Sequence, residues 1–242
     1  NSDLGRYSFL NYPENNDKLY NCLEQLDIPI SKMSYVDITI EQAFKDVPAA
    51  VVQEIEDDFK EMYQQDEDKD EATISVVMRL GDNYYIIEAG ADGFKNIKTI
   101  LFTHGKYGKY EFREESDGTK RILELLEMIT SPEKDVTYVV DEIDRSLHSL
   151  LSEQLICMYL NPETANQNQL IITTHESRLL NLKRLRKDEI YFVTNRNGES
   201  GFVRLDEFEG GVSRSDLNIE TSYLNGRYGG IPVLIRCEDA ND

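Results

Sequence analysis

An α/β fold is predicted for this chain, with a mostly parallel sheet and flanking helices in its C-terminal half. Its N-terminal half reads as an α+β part built around a hairpin. Three observations lead there. Tyr138-Val139-Val140-Asp141-Glu142 and Ile171-Ile172-Thr173-Thr174-His175 are apolar runs that end in chemically capable groups. Buried parallel strands have this pattern when their C-terminal ends open into a crevice. From Ser116 onward, strand-like and helix-like segments alternate, which implies a parallel sheet with covering helices. Before Ser116, β-rich runs at 74–80 and 84–88 flank Gly81-Asp82-Asn83, a hairpin signal.

The elements follow in order. A short helix is expected over 17–26, stopping before Pro29. Residues 40–63 read as one helix, because Val51, Ile55, Phe59 and Met62 recur at helical spacing and Pro48 suits a first turn. Strands are expected at 97–103 and 110–113. Next come a helix at 116–129 with Ile122, Leu123, Leu125, Leu126 and Ile129 as its apolar positions, then a strand at 136–140. A helix at 147–159, a strand at 170–173 and a helix at 176–185 complete the alternation. Two last strands, 190–194 and 201–205, flank the turn Asn195-Arg196-Asn197-Gly198.

The 242 residues carry a formal charge of −20, which argues against a surface that attracts nucleic acid as a whole. Much of the acid lies in 54–71, read as a solvated helix face running into a loop. The basic run Lys183-Arg184-Leu185-Arg186-Lys187 either touches phosphates or ends a solvated helix. Three scattered cysteines (Cys22, Cys157, Cys237) match neither a disulfide framework nor metal-ligand spacing. With no secretory signal and no membrane-length apolar run, a reduced cytoplasmic protein is expected. Because the first residue is Asn rather than Met, a piece of a longer polypeptide is expected.

Three motifs carry chemistry. At a strand end the turning chain can deliver both Asp141 and Glu142 to one crevice, one carboxylate for Mg2+ and one to take a proton from water. The bland alternative is a solvated acidic turn. His175 at the next strand end can bond a terminal phosphate; by itself it is equally a surface histidine. Glu115-Ser116-Asp117-Gly118-Thr119-Lys120-Arg121 opens an apolar-periodic helix. Its hydroxyls and free N–H groups make either an anion site or an ordinary N-cap.

In this order the motifs resemble the C-terminal half of an ABC-type ATPase head. The nearest group is the AAA-family ATPases of bacterial abortive infection and anti-phage defence, related to overcoming-lysogenisation, RecF, Rad50 and SMC heads. The resemblance rests on residues 115–121, on Asp141-Glu142-Ile143-Asp144-Arg145-Ser146-Leu147-His148, on Thr173-Thr174-His175, and on the closing Tyr223-Leu224-Asn225-Gly226-Arg227-Tyr228-Gly229-Gly230-Ile231-Pro232. It implies a variable helical and β insertion over 1–96, an ATPase core half over 97–242, and ATP and Mg2+ as cofactors. Asp141 would organise Mg2+, Glu142 would polarise the attacking water, and His175 would contact the γ-phosphate. Ser116, Gly118 and Thr119 would form a signature loop reaching a nucleotide on a second subunit. Asp144, Ser146 and His148 would form a D-loop through which two sites sense each other. A homo-oligomer joined through its ATP sites, acting on an effector nuclease, is the implied assembly, with nucleic-acid contact left open. Two departures stand out: Asp117 replaces the glycine usual in transporters, and His148 replaces an aspartate common among relatives. The closing segment, with Arg227, either approaches a phosphate or packs on the sheet edge.

No Gly-x-x-x-x-Gly-Lys-Ser/Thr occurs in the chain, so the phosphate-cradling loop is missing. The chain alone is therefore expected to show no ATPase activity. Two other readings stay open: a catalytically idle module that docks a partner, and a DNA-repair ATPase of the RecF or Rad50 kind. No sustained heptads or basic face support the latter.

Overall fold

The computed structural model describes residues 17–65, 73–131, 133–161, 168–196, 198–208 and 219–231. Residues 66–71 of the acidic run, Asn197 of the last turn and Pro232 lie outside them. Two compact units divide between Val136 and Thr137. The division expected at 96/97 would instead cut a strand, because both positions pair inside Gly93–Thr103.

In the first unit the elements are α1 (Asp17–Gln25), β1 (Lys32–Ile38), α2 (Ile40–Ala43), α3 (Ala49–Gln65), β2 (Ile74–Leu80), β3 (Asn83–Gly90), β4 (Gly93–Thr103), β5 (Lys109–Glu111) and α4 (Asp117–Thr130). The strands form one antiparallel sheet in the order β1-β4-β3-β2, with β5 also paired to β4. The predicted hairpin is β2–β3, turning at Gly81 with φ +60°, a conformation that glycine adopts without strain. The helix expected over 40–63 is two helices. Pro48 lacks an N–H and disfavours helical backbone in the residue before it, so the chain breaks there and restarts. Thr39 caps α2 through a reciprocal bond with Gln42.

Period-two alternation gives this sheet two apolar faces. Tyr85, Ile87, Ala89 and Ile97 cluster with Phe59 of α3 and with Ala43 and Phe44. Of the four residues that suggested an amphipathic α3, Phe59 is buried, whereas Val51 and Met62 are exposed. Burying a ring such as Phe59 is worth about 1.5–3 kcal/mol. Elsewhere Phe112 is met edge-on by Tyr84 at 4.7 Å and lies 6.1 Å from Phe102. All five apolar positions expected in α4 are buried, and α1 packs on α4.

The second unit contains β6 (Thr137–Val140), α5 (Ser149–Tyr159), β7 (Gln169–Ile172), β8 (Tyr191–Arg196), β9 (Glu199–Arg204) and α6 (Ile219–Leu224). β6 and β7 pair in parallel, with α5 between them in sequence, while β8 and β9 form an antiparallel hairpin. Among the described residues the parallel pairing is confined to these two strands. They were expected to be buried on both faces, yet the register partners Val139 and Ile171 are 73% and 48% exposed. Among the described residues of this unit, one face of the short pair is left uncovered.

Residues 176–185 do not form the expected α-helix. The chain makes a 3-10 turn at Ser177–Leu179. Glu176 accepts from Arg178 N and Asn181 Oδ1 accepts from Lys183 N. Such local side-chain bonds offer the backbone an alternative to the helical ladder. A second core gathers Ile190, Phe192, Leu205, Ile219 and Tyr228. There Phe192 stacks between Tyr228 at 4.9 Å and Tyr223 at 5.3 Å. The closing segment thus packs against β8, the second of its two expected roles. Among the described residues no helix is long and apolar enough to cross a membrane.

Candidate active site at the ends of the parallel strands

The parallel register aligns Val140 with Ile172, so the polar residues that follow each strand emerge at the same edge. Thr173 N continues the ladder by donating to Val140 O at 3.0 Å, and Ile143 N donates to Thr173 O at 3.1 Å. Between those bonds Glu142 takes φ +47°, a left-handed conformation that turns the chain sharply after Asp141. Ile143 anchors the turn by complete burial.

The strand-end hydroxyls then bind the two loops together. Thr173 Oγ1 donates to Asp141 Oδ1 and accepts from Glu142 N at 2.8 Å. Thr174 Oγ1 donates to Asp144 Oδ1 at 2.6 Å, and His175 N donates to the same oxygen at 3.3 Å. His175 Nε2 lies 3.7 Å from Glu142 Oε1, with the imidazole 85% and the carboxylate 48% exposed. Asp141, Glu142, Asp144 and His175 are therefore gathered at one edge, accessible to solvent.

Other expected site residues have structural duties. His148 is the N-cap of α5, its Nδ1 accepting from Leu150 N at 3.2 Å. Ser146 holds φ +63° in the turn leading to that cap. In the first unit Ser116 is the N-cap of α4. Its Oγ accepts from Thr119 N at 3.1 Å and lies 2.9 Å from Thr119 Oγ1. The Ser116 oxygen is occupied by capping, so what α4 offers an anion is the backbone at Asp117 and Gly118.

Three residues outside the expected site matter. Thr173 and Thr174 hold the carboxylates, and their only sequence signal was a pair of hydroxyls beside His175. Glu115 carries a side chain that is only 4% exposed and faces His104 Nε2 at 2.7 Å; nothing in the local sequence pattern pointed to this pairing. Both arginines of the basic run 183–187 are ion-paired. Arg184 pairs with Glu153 at 2.8 Å, and Arg186 grips Asp188 with two 3.0 Å bonds and reaches Glu189 at 3.3 Å. The Arg186 bond holds the Asp188 carboxyl below its ordinary range.

The donor set bears on Mg2+. Among the described residues no group of three or more His, Cys, Asp or Glu side chains is gathered to hold a metal ion. Mg2+ commonly takes one or two carboxylates and fills its shell with phosphate oxygens and water. An exposed Asp141 beside Glu142 fits that use.

Carboxylates and an imidazole at the C-terminal edge of parallel strands place this chain among α/β proteins that handle a polar ligand at their strand ends. Residues 7–181 match the family described as "AAA domain, putative AbiEii toxin, Type IV TA system", and the chain belongs to this AAA family. One similar solved structure comes from work on "Structural biochemistry of ATP-driven dimerization and DNA stimulated activation of SMC ATPases". It has TM-score 0.37 and 14% identity, over 74% of this chain and 93% of that one. Another, "Crystal structure of the SmcHead bound to the C-winged helix domain of ScpA", has TM-score 0.34 and 17% identity. It is matched over 81% of this chain and 51% of its own length. No curated protein matches the chain.

Proposed function

We propose that this chain supplies the hydrolytic half of an ATP-binding head whose nucleotide-dependent dimerisation controls an effector, a nuclease in anti-phage defence. The observation that carries this reading is the 3.7 Å approach of His175 Nε2 to Glu142 Oε1 beside Asp141, at the joined ends of β6 and β7. Glu142 polarises the attacking water and takes its proton. The water oxygen bonds the γ-phosphorus as the bond to ADP breaks. His175, exposed beside Glu142, hydrogen-bonds the γ-phosphate and registers its loss. Asp141, oriented by Thr173, would hold Mg2+, which would supply charge neutralisation at the phosphates. The N-terminal backbone of α4, at Asp117 and Gly118, binds a nucleotide held by a second subunit. Asp144, by bonding Thr174 and the His175 backbone, ties the D-loop to the switch histidine. Membership in the AAA family supports the ATPase reading, and the family's toxin description supports the defence setting.

The test is ATP turnover and assembly mass for the full-length gene product, wild type against Glu142→Gln. Removing a general base costs about 10²–10⁴-fold in rate, and the variant should accumulate an ATP-bound oligomer. Equal turnover in the two proteins would remove Glu142 from the chemistry. It would favour partner docking instead, for which the exposed Val139–Ile171 pair provides an apolar face. Residues 1–242 alone, without a phosphate loop, should show no turnover above background.

A further inference from the structure

The chain that leads into α4 is held from two sides by the antiparallel sheet. Glu115 lies immediately before Ser116, the N-cap, and its side chain is only 4% exposed. From the turn that follows β4, His104 Nε2 meets Glu115 Oε1 at 2.7 Å. A bond of that length needs one proton between nitrogen and oxygen, and it points the carboxyl group the same way whichever atom carries the proton. The imidazole is itself fixed. Its ring stands edge-on to Tyr110 at 5.1 Å, His104 N donates to Gly108 O at 2.9 Å, and His104 O accepts from Tyr107 N at 2.8 Å.

Asn83, buried at the start of β3, supplies the second hold. Its Oδ1 accepts from Arg113 N at 3.1 Å, and its Nδ2 donates to Glu111 Oε2 at 2.8 Å. Lys120 Nζ ties the first turn of α4 to the same segment by donating to Arg113 O at 3.0 Å. Packing alone does not call for a carboxyl group beside Ser116, because exchanging a buried polar pair for apolar side chains of similar volume is often neutral or stabilising. What apolar contacts lack is direction. Methyl groups slide past one another, whereas a short hydrogen bond sets a position. Position matters where a group must meet its reactant, since a misplacement of about 1 Å can cost about a hundredfold in rate.

We propose that His104 and Glu115 are positioning residues, which hold the α4 amides of Asp117 and Gly118 where they meet the nucleotide of a second subunit. This role rests on the ATP-binding head proposed above. The pair acts on the second subunit's nucleotide and not on its own. Its removal therefore separates assembly and turnover from the affinity of a single subunit for ATP.

The test compares the full-length gene product as wild type, as His104→Gln and as the double variant His104→Leu with Glu115→Leu. The double variant leaves no buried carboxyl group without a partner, so its melting temperature should stay within about 3 °C of wild type or rise. Its ATP affinity as a monomer should change by less than about twofold, while kcat and ATP-dependent dimerisation fall by about tenfold or more. His104→Gln, whose amide reaches the place of Nε2 and donates to Glu115, should recover turnover to within about threefold of wild type. Hydrogen exchange without nucleotide reads the same hold. The amides of Thr119 and Lys120 bond Ser116, and they should exchange about tenfold faster in the double variant, with amides 124–128 unchanged. Wild-type turnover in the double variant, unaltered exchange at 119 and 120, or a loss of ATP affinity as large as the loss of turnover overturns the assignment and leaves the ATPase intact. A wild type that neither hydrolyses ATP nor dimerises with it removes the ATPase reading, and this role with it.

Discussion

The Thr173 hydroxyl donates to the Asp141 carboxylate while accepting from Glu142 N at 2.8 Å. One side chain on β7's exit thereby fixes the Asp141 carboxylate and the Glu142 backbone on β6's exit. Thr173→Val keeps the shape and removes the bridge. The expected loss of stability is about 1 kcal/mol, the net value of a typical hydrogen bond. The expected loss of ATP turnover in the full-length protein is larger, about tenfold to a hundredfold, because Asp141 is left misdirected. Thr173→Ser should recover most of the turnover. Equal turnover in all three proteins would make the bridge purely structural.

His175 gives the opposite separation. Its ring is 85% exposed, and exposed substitutions away from caps and strained backbone usually change stability by less than about 0.5 kcal/mol. His175→Ala should therefore leave the melting temperature in place and reduce ATP turnover. A melting shift of several degrees without a turnover change would assign His175 to folding.

Gly230 and Gly81 form a natural comparison. Both hold positive φ, +73° and +60°. A Cβ at Gly230 would lie 2.8 Å from Val193 O on β8, whereas one at Gly81 meets nothing. Gly81→Ala should cost about 1 kcal/mol from backbone strain alone. Gly230→Ala should cost about 1–3 kcal/mol or more, because a backbone carbonyl must shift as well. Denaturant midpoints for the two variants would show the difference. Similar midpoints would mean that the closing segment does not press on β8.

Cys22 makes stability fall in alkali. Burial pushes its thiol up, and nearby Lys18 opposes this to a smaller degree. The folded protein therefore prefers the neutral thiol. Its contribution is complete below the ordinary thiol value of about 8.5 and is lost as pH rises toward the folded value. Unfolding free energy should decline more steeply above that pH for wild type than for Cys22→Ala. Parallel declines would show that Cys22 titrates alike in both states.

Much of the architecture was legible because it is written in short-range patterns. The hairpin at 74–90, the apolar face of α4, the Ser116 cap and the polar exits of β6 and β7 all follow from residue type and spacing within a few positions. The misses have equally local causes. A single proline split the helix expected over 40–63, and the short side-chain bonds of Glu176 and Asn181 replaced the helix expected at 176–185. The basic run 183–187 read as available charge, but Glu153, 30 or so positions away, and the adjacent Asp188 and Glu189 pair with both of its arginines.

The sequence by itself singled out the residues proposed to carry the chemistry: the Asp141-Glu142 pair, His175 and the helix-capping Ser116, with no phosphate loop among them. It determined this because apolar runs and their polar ends are local properties of the chain. Only the tertiary structure decided that Thr173 bridges Asp141 and Glu142, that Thr174 holds Asp144, and that His104 meets a buried Glu115. Those pairings join residues on separate strands and turns, and hydrogen bonds form by distance in space, which spacing along the chain does not encode.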